Sequence, residues 1–147
     1  MMPAVQIEFP EDTVDEINIG ASVALNGTCL TVTSAEANVL CFDIIPETLA
    51  CTNLGQLHLG AAVNFERSVK YGDEVGGHNV SGHVQTTAEI SELDRQDDNA
   101  TLTFKLKDKE WIKYIMPKGF ISVDGCSLTV GEVCSWRVQS TSHNHST

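Results

Sequence analysis

Positive charge is scarce in this chain, whose 147 residues carry 9 Lys and Arg against 20 Asp and Glu, a formal net charge of -11. Such a surface repels phosphates, and nucleic-acid binding depends on clustered cations, so a polyanion is excluded as the main partner. Residues 105–118 alone are locally basic; there Lys alternates with apolar or acidic residues, the pattern of a strand and turn. No run of about 18 apolar residues occurs, which excludes a transmembrane helix and points away from a membrane. The opening MMPAVQIEF has neither a basic n-region nor an apolar h-region. No CxxC pair is formed by Cys29, Cys41, Cys51, Cys126 and Cys134, and an odd number of thiols cannot all pair within one chain. These absences point to a reducing cytoplasm, and the cysteine spacings fit no structural zinc pattern, so no metal is expected.

What the chain does contain is 41% hydrophobic residues, enough for one large domain or two small ones. Short stretches rich in Val, Ile, Thr and Phe recur between Gly, Asn and Asp. They fall at residues 4–9, 22–25, 29–33, 39–45, 62–67, 85–91, 101–106, 121–123 and 127–133. Many short strands at close spacing predict an all-β sandwich or barrel with mostly antiparallel pairing. Asn26-Gly27 and Asp124-Gly125 lie between apolar strands and read as hairpin turns, since type I′ geometry needs positive φ at both turn residues. Helix is expected only at 46–54, where Pro46 sits in a first turn, and at 109–115, with Trp111, Ile112 and Ile115 on one face. The acidic stretches 8–16 and 89–98 read as solvated loops.

The most informative feature is an internal echo. NGTCLTV at 26–32 and DGCSLTV at 124–130 match at a constant offset of 98, and Val23 and Leu25 match Ile121 and Val123. One module carried twice explains the match, although two full copies at that offset need more residues than are present.

The stretches GASVALNGTCLTV, PETLACTNLG, GGHNVSGHVQTTAEI and KGFISVDGCSLTVGEV occur in one order. Together they resemble the riboflavin synthase alpha-chain (lumazine-binding domain) family over residues 20–133. The resemblance implies tandem six-stranded Greek-key β-barrels, here divided as 1–75 and 76–147, assembling as a homotrimer. It implies a transferase that dismutates two molecules of 6,7-dimethyl-8-ribityllumazine into riboflavin and a ribitylaminopyrimidinedione, with no metal or organic cofactor. The site would form where the first barrel of one subunit meets the second barrel of a neighbour. Family chains open with a strand resembling MFTGIV, which is replaced here. After Val133 the second PETL-like segment, the last strands and a terminal helix are lacking, so the second barrel is expected to be incomplete. The tail 134–147, polar and without strand periodicity, is expected to be disordered. Truncation would leave binding to outlast catalysis, and a non-catalytic lumazine- or flavin-binding protein or an inactive remnant are the alternatives.

The chemistry implied needs a proton removed from the C7 methyl of one lumazine and a nucleophile added to the other, with both rings held face to face. Read from composition, His83 is a surface or hydrogen-bonded strand residue; the motif makes it the proton-handling group, set between Gly82 and Val84. His78 supports that segment or is an ordinary linker residue. Cys29 is either an inert buried thiol or a ligand-lining group and nucleophile, followed by Leu30 and Thr31. Ser127, Leu128 and Thr129 are the matching residues of the second copy, with Ser127 placed among the catalytic groups. Hydroxyl residues at one point of both copies suit hydrogen bonds to the same ligand edge. Residues Asp43, Ile44, Ile45, Pro46, Glu47 and Thr48 are a candidate ligand wall, with exposed backbone groups for a pyrimidine edge; alternatively Glu47 and Thr48 only begin a short helix. Lys118 either supplies a cation near the second pocket or is a solvated surface residue.

Overall fold

Alternation of apolar and polar residues becomes ten strands in a computed structural model that describes residues 4–11, 13–96, 99–134 and 137–143. The first unit contains β1 (Ala4–Glu8), β2 (Ser22–Leu25), β3 (Thr28–Glu36), β4 (Val39–Asp43), α1 (Pro46–Cys51) and β5 (Phe65–Arg67). The second contains β6 (Ala88–Gln96), β7 (Asn99–Leu106), β8 (Phe120–Val123), β9 (Cys126–Cys134) and β10 (Arg137–His143). Each forms one five-stranded antiparallel sheet, in the orders β1-β4-β3-β2-β5 and β6-β7-β10-β9-β8.

Both predicted turns have positive φ at each central residue, 46° and 74° at Asn26-Gly27 and 52° and 91° at Asp124-Gly125. The echo extends into the backbone. Gly20 N–H donates to Val32 O at 2.9 Å, and Lys118 N–H donates to Val130 O at 2.8 Å, 98 positions on. The return bonds, Val32 N–H to Ala21 O at 3.0 Å and Val130 N–H to Gly119 O at 2.9 Å, repeat as well.

Apolar side chains at alternate positions fill the first core: Val23, Leu25, Leu30, Val32, Leu40 and Phe42, capped by Phe9, Val14, Ile44 and Leu54. In the second unit Phe104, Leu106, Val130 and Val138 are the buried apolar residues. Ser140, buried where the first copy has Phe42, donates its hydroxyl to Thr129 O at 2.7 Å and so satisfies a polar group that would be costly alone.

Strand pairing aligns the copies: β2, β3 and β4 correspond to β8, β9 and β10, and β1, paired with β4, corresponds to β7, paired with β10. Among the described residues, β6 then has no counterpart beside β1, and β5 has none beside β8, which is why each unit has five strands and not the expected six. Three further expectations are corrected. Residues 137–143 form a strand and not a disordered tail, because Val138 and Ser140 turn inward with Gln139 between them and the backbone pairs with β7 on one side and β9 on the other. Residues 135–136 and 144–147 of that tail, and residues 12 and 97–98 of the acidic stretches, lie outside the described residues. The strand expected at 85–91 begins at Ala88, and most of the acidic stretch 89–98 is solvated strand β6 and not a loop, because its backbone pairs with β7. The helical segments are shorter: α1 is followed by a 3₁₀ turn at Asn53–Gln56, capped by Thr52 Oγ1 accepting from Leu54 N–H, and Lys109–Tyr114 is 3₁₀, capped by Asp108.

Candidate active site

The two units meet through their hairpin turns. A Cβ placed on Gly27 would lie 2.2 Å from Gly125 N, so the approach is possible only because neither turn carries a side chain there. Asn53 ties the turns together: Asn26 Nδ2 donates to its Oδ1 at 3.3 Å, and its own Nδ2 donates to Asp124 Oδ1 at 2.8 Å. Asn53→Asp is expected to cost about 1 kcal/mol by losing a donor and opposing two carboxylates, and Asp124→Asn to restore it. Urea unfolding of the four combinations checks this; additive effects would contradict a direct contact.

Residues 76–84 run across this junction and touch both copies at matching points. Gly82 (φ 72°) lies against Cys29, where a Cβ would come within 2.7 Å of the Cys29 Cβ, and its carbonyl accepts the Cys29 N–H at 2.9 Å. Five residues earlier a Cβ on Gly77 would be 2.9 Å from Ser127 Oγ. Ser127 stands 98 positions from Cys29, so a Gly-His pair follows the same strand start in each copy: Gly82-His83 at Cys29 and Gly77-His78 at Ser127.

The chemistry of the two stations differs. Ser127 Oγ accepts the His78 peptide N–H at 3.0 Å and is also hydrogen-bonded to the ring of the same residue, with His78 Nδ1 3.1 Å away. The ring stacks on Phe120 at a centroid distance of 4.3 Å and 5° between planes. At the other station His83 is exposed; its backbone N–H donates to Ser81 Oγ at 3.3 Å and its carbonyl accepts from Gln85 Nε2 at 3.1 Å, which orient the main chain and leave the imidazole toward solvent.

Two cavities flank the junction. One, of about 600 Å³, is lined by Cys29, Ser127, Gly77, His78 and Gly82 among others. The other, of about 740 Å³, is walled by Gly82, His83 and Val84 on one side and by apolar residues of the second unit on the other. Thr31 and Thr129 are exposed at matching positions and lie outside both cavities; Asp43, Ile44, Ile45, Pro46, Glu47, Thr48 and Lys118 also lie outside both. Leu30 and Ile44 are core residues, 7% and 3% exposed, because the strand alternation turns them inward; a ligand there is left with Thr31, Ile45 and the main chain. Leu128 is half-buried, and Thr48 begins the expected helix, its carbonyl accepting from Thr52 Oγ1 at 2.6 Å. Lys118 is exposed at a positive φ of 64°, where the first copy has Gly20.

Sequence reasoning gave His78 only a supporting place and passed over Asn53. The spacing Gly-His, five residues, Gly-His carried the first signal; the second depends on two turns meeting in space and has no signal in a linear pattern.

The fold is thus a repeated antiparallel β-fold with a glycine-histidine pair set against the same strand start of each copy. The family model of the lumazine binding domain matches residues 2–68 and again 81–146, and the chain belongs to that family. It is 50% identical over 131 residues to the riboflavin synthase of Escherichia coli (strain K12), covering 89% of this chain and 62% of that protein. It is 45% identical over 130 residues to the riboflavin synthase of Schizosaccharomyces pombe, covering 88% and 62%. The fold matches the crystal structure of LumP complexed with riboflavin at a TM-score of 0.82 and 24% identity, over 95% of this chain and 75% of that one. LumP complexed with 6,7-dimethyl-8-(1'-D-ribityl) lumazine gives 0.80 and 23%, with 95% and 74% covered. The chain thus spans about 62% of the length of the curated relatives it matches.

Proposed function

We propose that this chain binds 6,7-dimethyl-8-ribityllumazine at each of its two repeats and carries the riboflavin synthase reaction, the dismutation of two such molecules into riboflavin and 5-amino-6-(ribitylamino)uracil. The observation that carries the reading is the doubled station, one Gly-His pair on Cys29 and one on Ser127, in a chain half identical to a riboflavin synthase. The division at 75/76 into two ligand-binding units, a homotrimer and a cytoplasmic location belong to the same reading; five free thiols fit a reducing compartment.

In this mechanism the two rings are held face to face, so proximity and orientation supply much of the rate. His83, with a solvent-reachable imidazole, takes the C7 methyl proton of one lumazine and returns it later. Cys29 lines the first ring and is the candidate for addition to the electrophilic carbon. At the second station Ser127, oriented by His78, hydrogen-bonds the ligand, and Thr31 and Thr129 serve the pyrimidine edge of their respective copies. The main chain of 43–48, with Thr48, receives the ribityl chain.

Lys118 keeps a left-handed backbone that costs a non-glycine residue roughly 1–2 kcal/mol, and such strain concentrates where a side chain is needed. Lys118→Gly is therefore expected to leave stability unchanged or raise it by up to about 1 kcal/mol while weakening lumazine binding. Thermal unfolding and a ligand titration of the same sample check it; unaltered affinity would remove Lys118 from the site. The reading as a whole is tested by titrating the chain with ribityllumazine and following ligand fluorescence. Two sites per chain are expected, and a folded chain without binding would refute it. A purely ligand-binding role is not favoured, since the likeness to LumP stands at 23–24% identity against 50% to a synthase.

A further inference from the structure

The outer faces of the two copies carry the same rows of side chains. In the first, Ser22 and Ala24 of β2 stand opposite Thr31 and Cys29 of β3. In the second, Phe120 and Ser122 of β8 stand opposite Thr129 and Ser127 of β9, each 98 positions on. Directly opposed residues of antiparallel strands point to one side of the sheet, and residues two apart on a strand share that side. Ser22 with Cys29, and Phe120 with Ser127, are therefore corresponding diagonal pairs.

What lies over the two pairs differs. Ser22, Ala24 and Cys29 line the cavity of about 600 Å³. Ser22 offers no ring to stack on, and His83, the match of His78, lines the other cavity instead. Over the second pair lies the His78 ring, within 5° of parallel to the Phe120 ring at 4.3 Å, with Nδ1 3.1 Å from Ser127 Oγ. A planar ring with nitrogen on its edge thus rests on an aromatic face and hydrogen-bonds a hydroxyl, which is how a small flat heterocycle is held. The residue has two separate attachments. Its peptide N–H donates to Ser127 Oγ at 3.0 Å, and Gly77 lies so close that a Cβ there would be 2.9 Å from the same oxygen. The ring can turn away about its side-chain bonds without breaking the peptide's hydrogen bond. Ser127 then stays oriented and has one hydrogen-bonding position free for another partner.

We infer that the His78 ring occupies, in the free chain, the place that a lumazine ring takes at the second copy: the ligand displaces it, stacks on Phe120 and takes over its bond to Ser127. His78 is a positioning residue whose ring gates the site, and Phe120 is the platform that selects a flat ring. This rests on the proposed binding of lumazine at each repeat, and it adds the exchange by which one of the two sites fills. Only the state with the ring turned out accepts ligand, so the apparent affinity of that site is lowered in proportion to the population of that state.

The test titrates the full chain with 6,7-dimethyl-8-ribityllumazine while the histidine ring protons are followed by NMR, the His78 signals being those absent from His78→Ala. The Phe120 ring should shift these signals upfield in the free chain, and they are expected to return to ordinary imidazole positions as the second site fills. His78→Ala keeps the peptide N–H and removes the ring. It should tighten one of the two sites at least about threefold and leave the other within about twofold. Adding Phe120→Ala should weaken that same site by roughly 2–10-fold, the worth of an aromatic stack. A His78 ring still stacked in the saturated complex would overturn the inference, as would equal affinity in the single and double variants. Weaker binding in His78→Ala would also overturn it, since the ring would then hold the ligand and not its place. Two sites of unaltered affinity in His78→Ala would sink this inference alone, whereas a folded chain that binds no lumazine in either form would remove the proposed function and the inference together.

Discussion

Gly27→Ala is expected to destabilise the chain by about 2–5 kcal/mol, combining about 1–2 for a left-handed alanine with about 1–3 for overpacking. The added methyl would sit 2.2 Å from Gly125 N, and its nearest neighbours, Gly125 N and Cα and Asp124 C, are all backbone, so no side chain can swing aside. Gly20→Ala isolates the first contribution, because Gly20 also has a positive φ, 88°, but nothing lies within 4 Å of its Cβ position. Urea unfolding of both variants gives the comparison. The two-turn junction requires the Gly27 variant to be clearly the worse, and equal losses would mean the units do not meet as described. Because Cys29 and Ser127 begin the strands that leave these turns, Gly27→Ala should also weaken lumazine binding at both repeats.

His83→Ala is expected to lower riboflavin formation by roughly 10²–10⁴-fold, the usual worth of a positioned proton-transfer group. Its imidazole is exposed, and its bonds to Ser81 and Gln85 are made by its backbone, so the substitution should shift unfolding by no more than about 0.5 kcal/mol. That separation of activity from stability is what distinguishes a chemical role from a structural one. Steady-state rates with wild-type Tm would support the assignment, and a loss below about tenfold would move the proton transfer to another group, with His78 the next to test.

The repeat, both hairpin turns and the all-β class were legible because period-2 alternation and a turn that needs two positive φ values are local properties. The tail was misread for the opposite reason. RVQSTSH has little apolar content of its own and becomes a strand because β7 and β9 supply partners on both sides, a long-range effect that no window over 137–143 contains. The site was legible in part. Cys29, Ser127 and Gly82-His83 could be picked out by motif and offset, and Gly82 does lie on Cys29. The partner of Ser127 turned out to be His78, 49 positions away, and the Asn53 bridge to Asp124 spans 71; neither separation has any regular period to betray it. Leu30 was named beside Cys29 and Ile44 in the ligand wall by their motifs, although the alternation that places Thr31 outward necessarily buries Leu30.

The most direct measurement is incubation of the purified chain with 6,7-dimethyl-8-ribityllumazine, with riboflavin and 5-amino-6-(ribitylamino)uracil quantified by chromatography. Both products are expected in equal amounts, at a rate that collapses in His83→Ala. A folded chain that leaves the lumazine unchanged would contradict it.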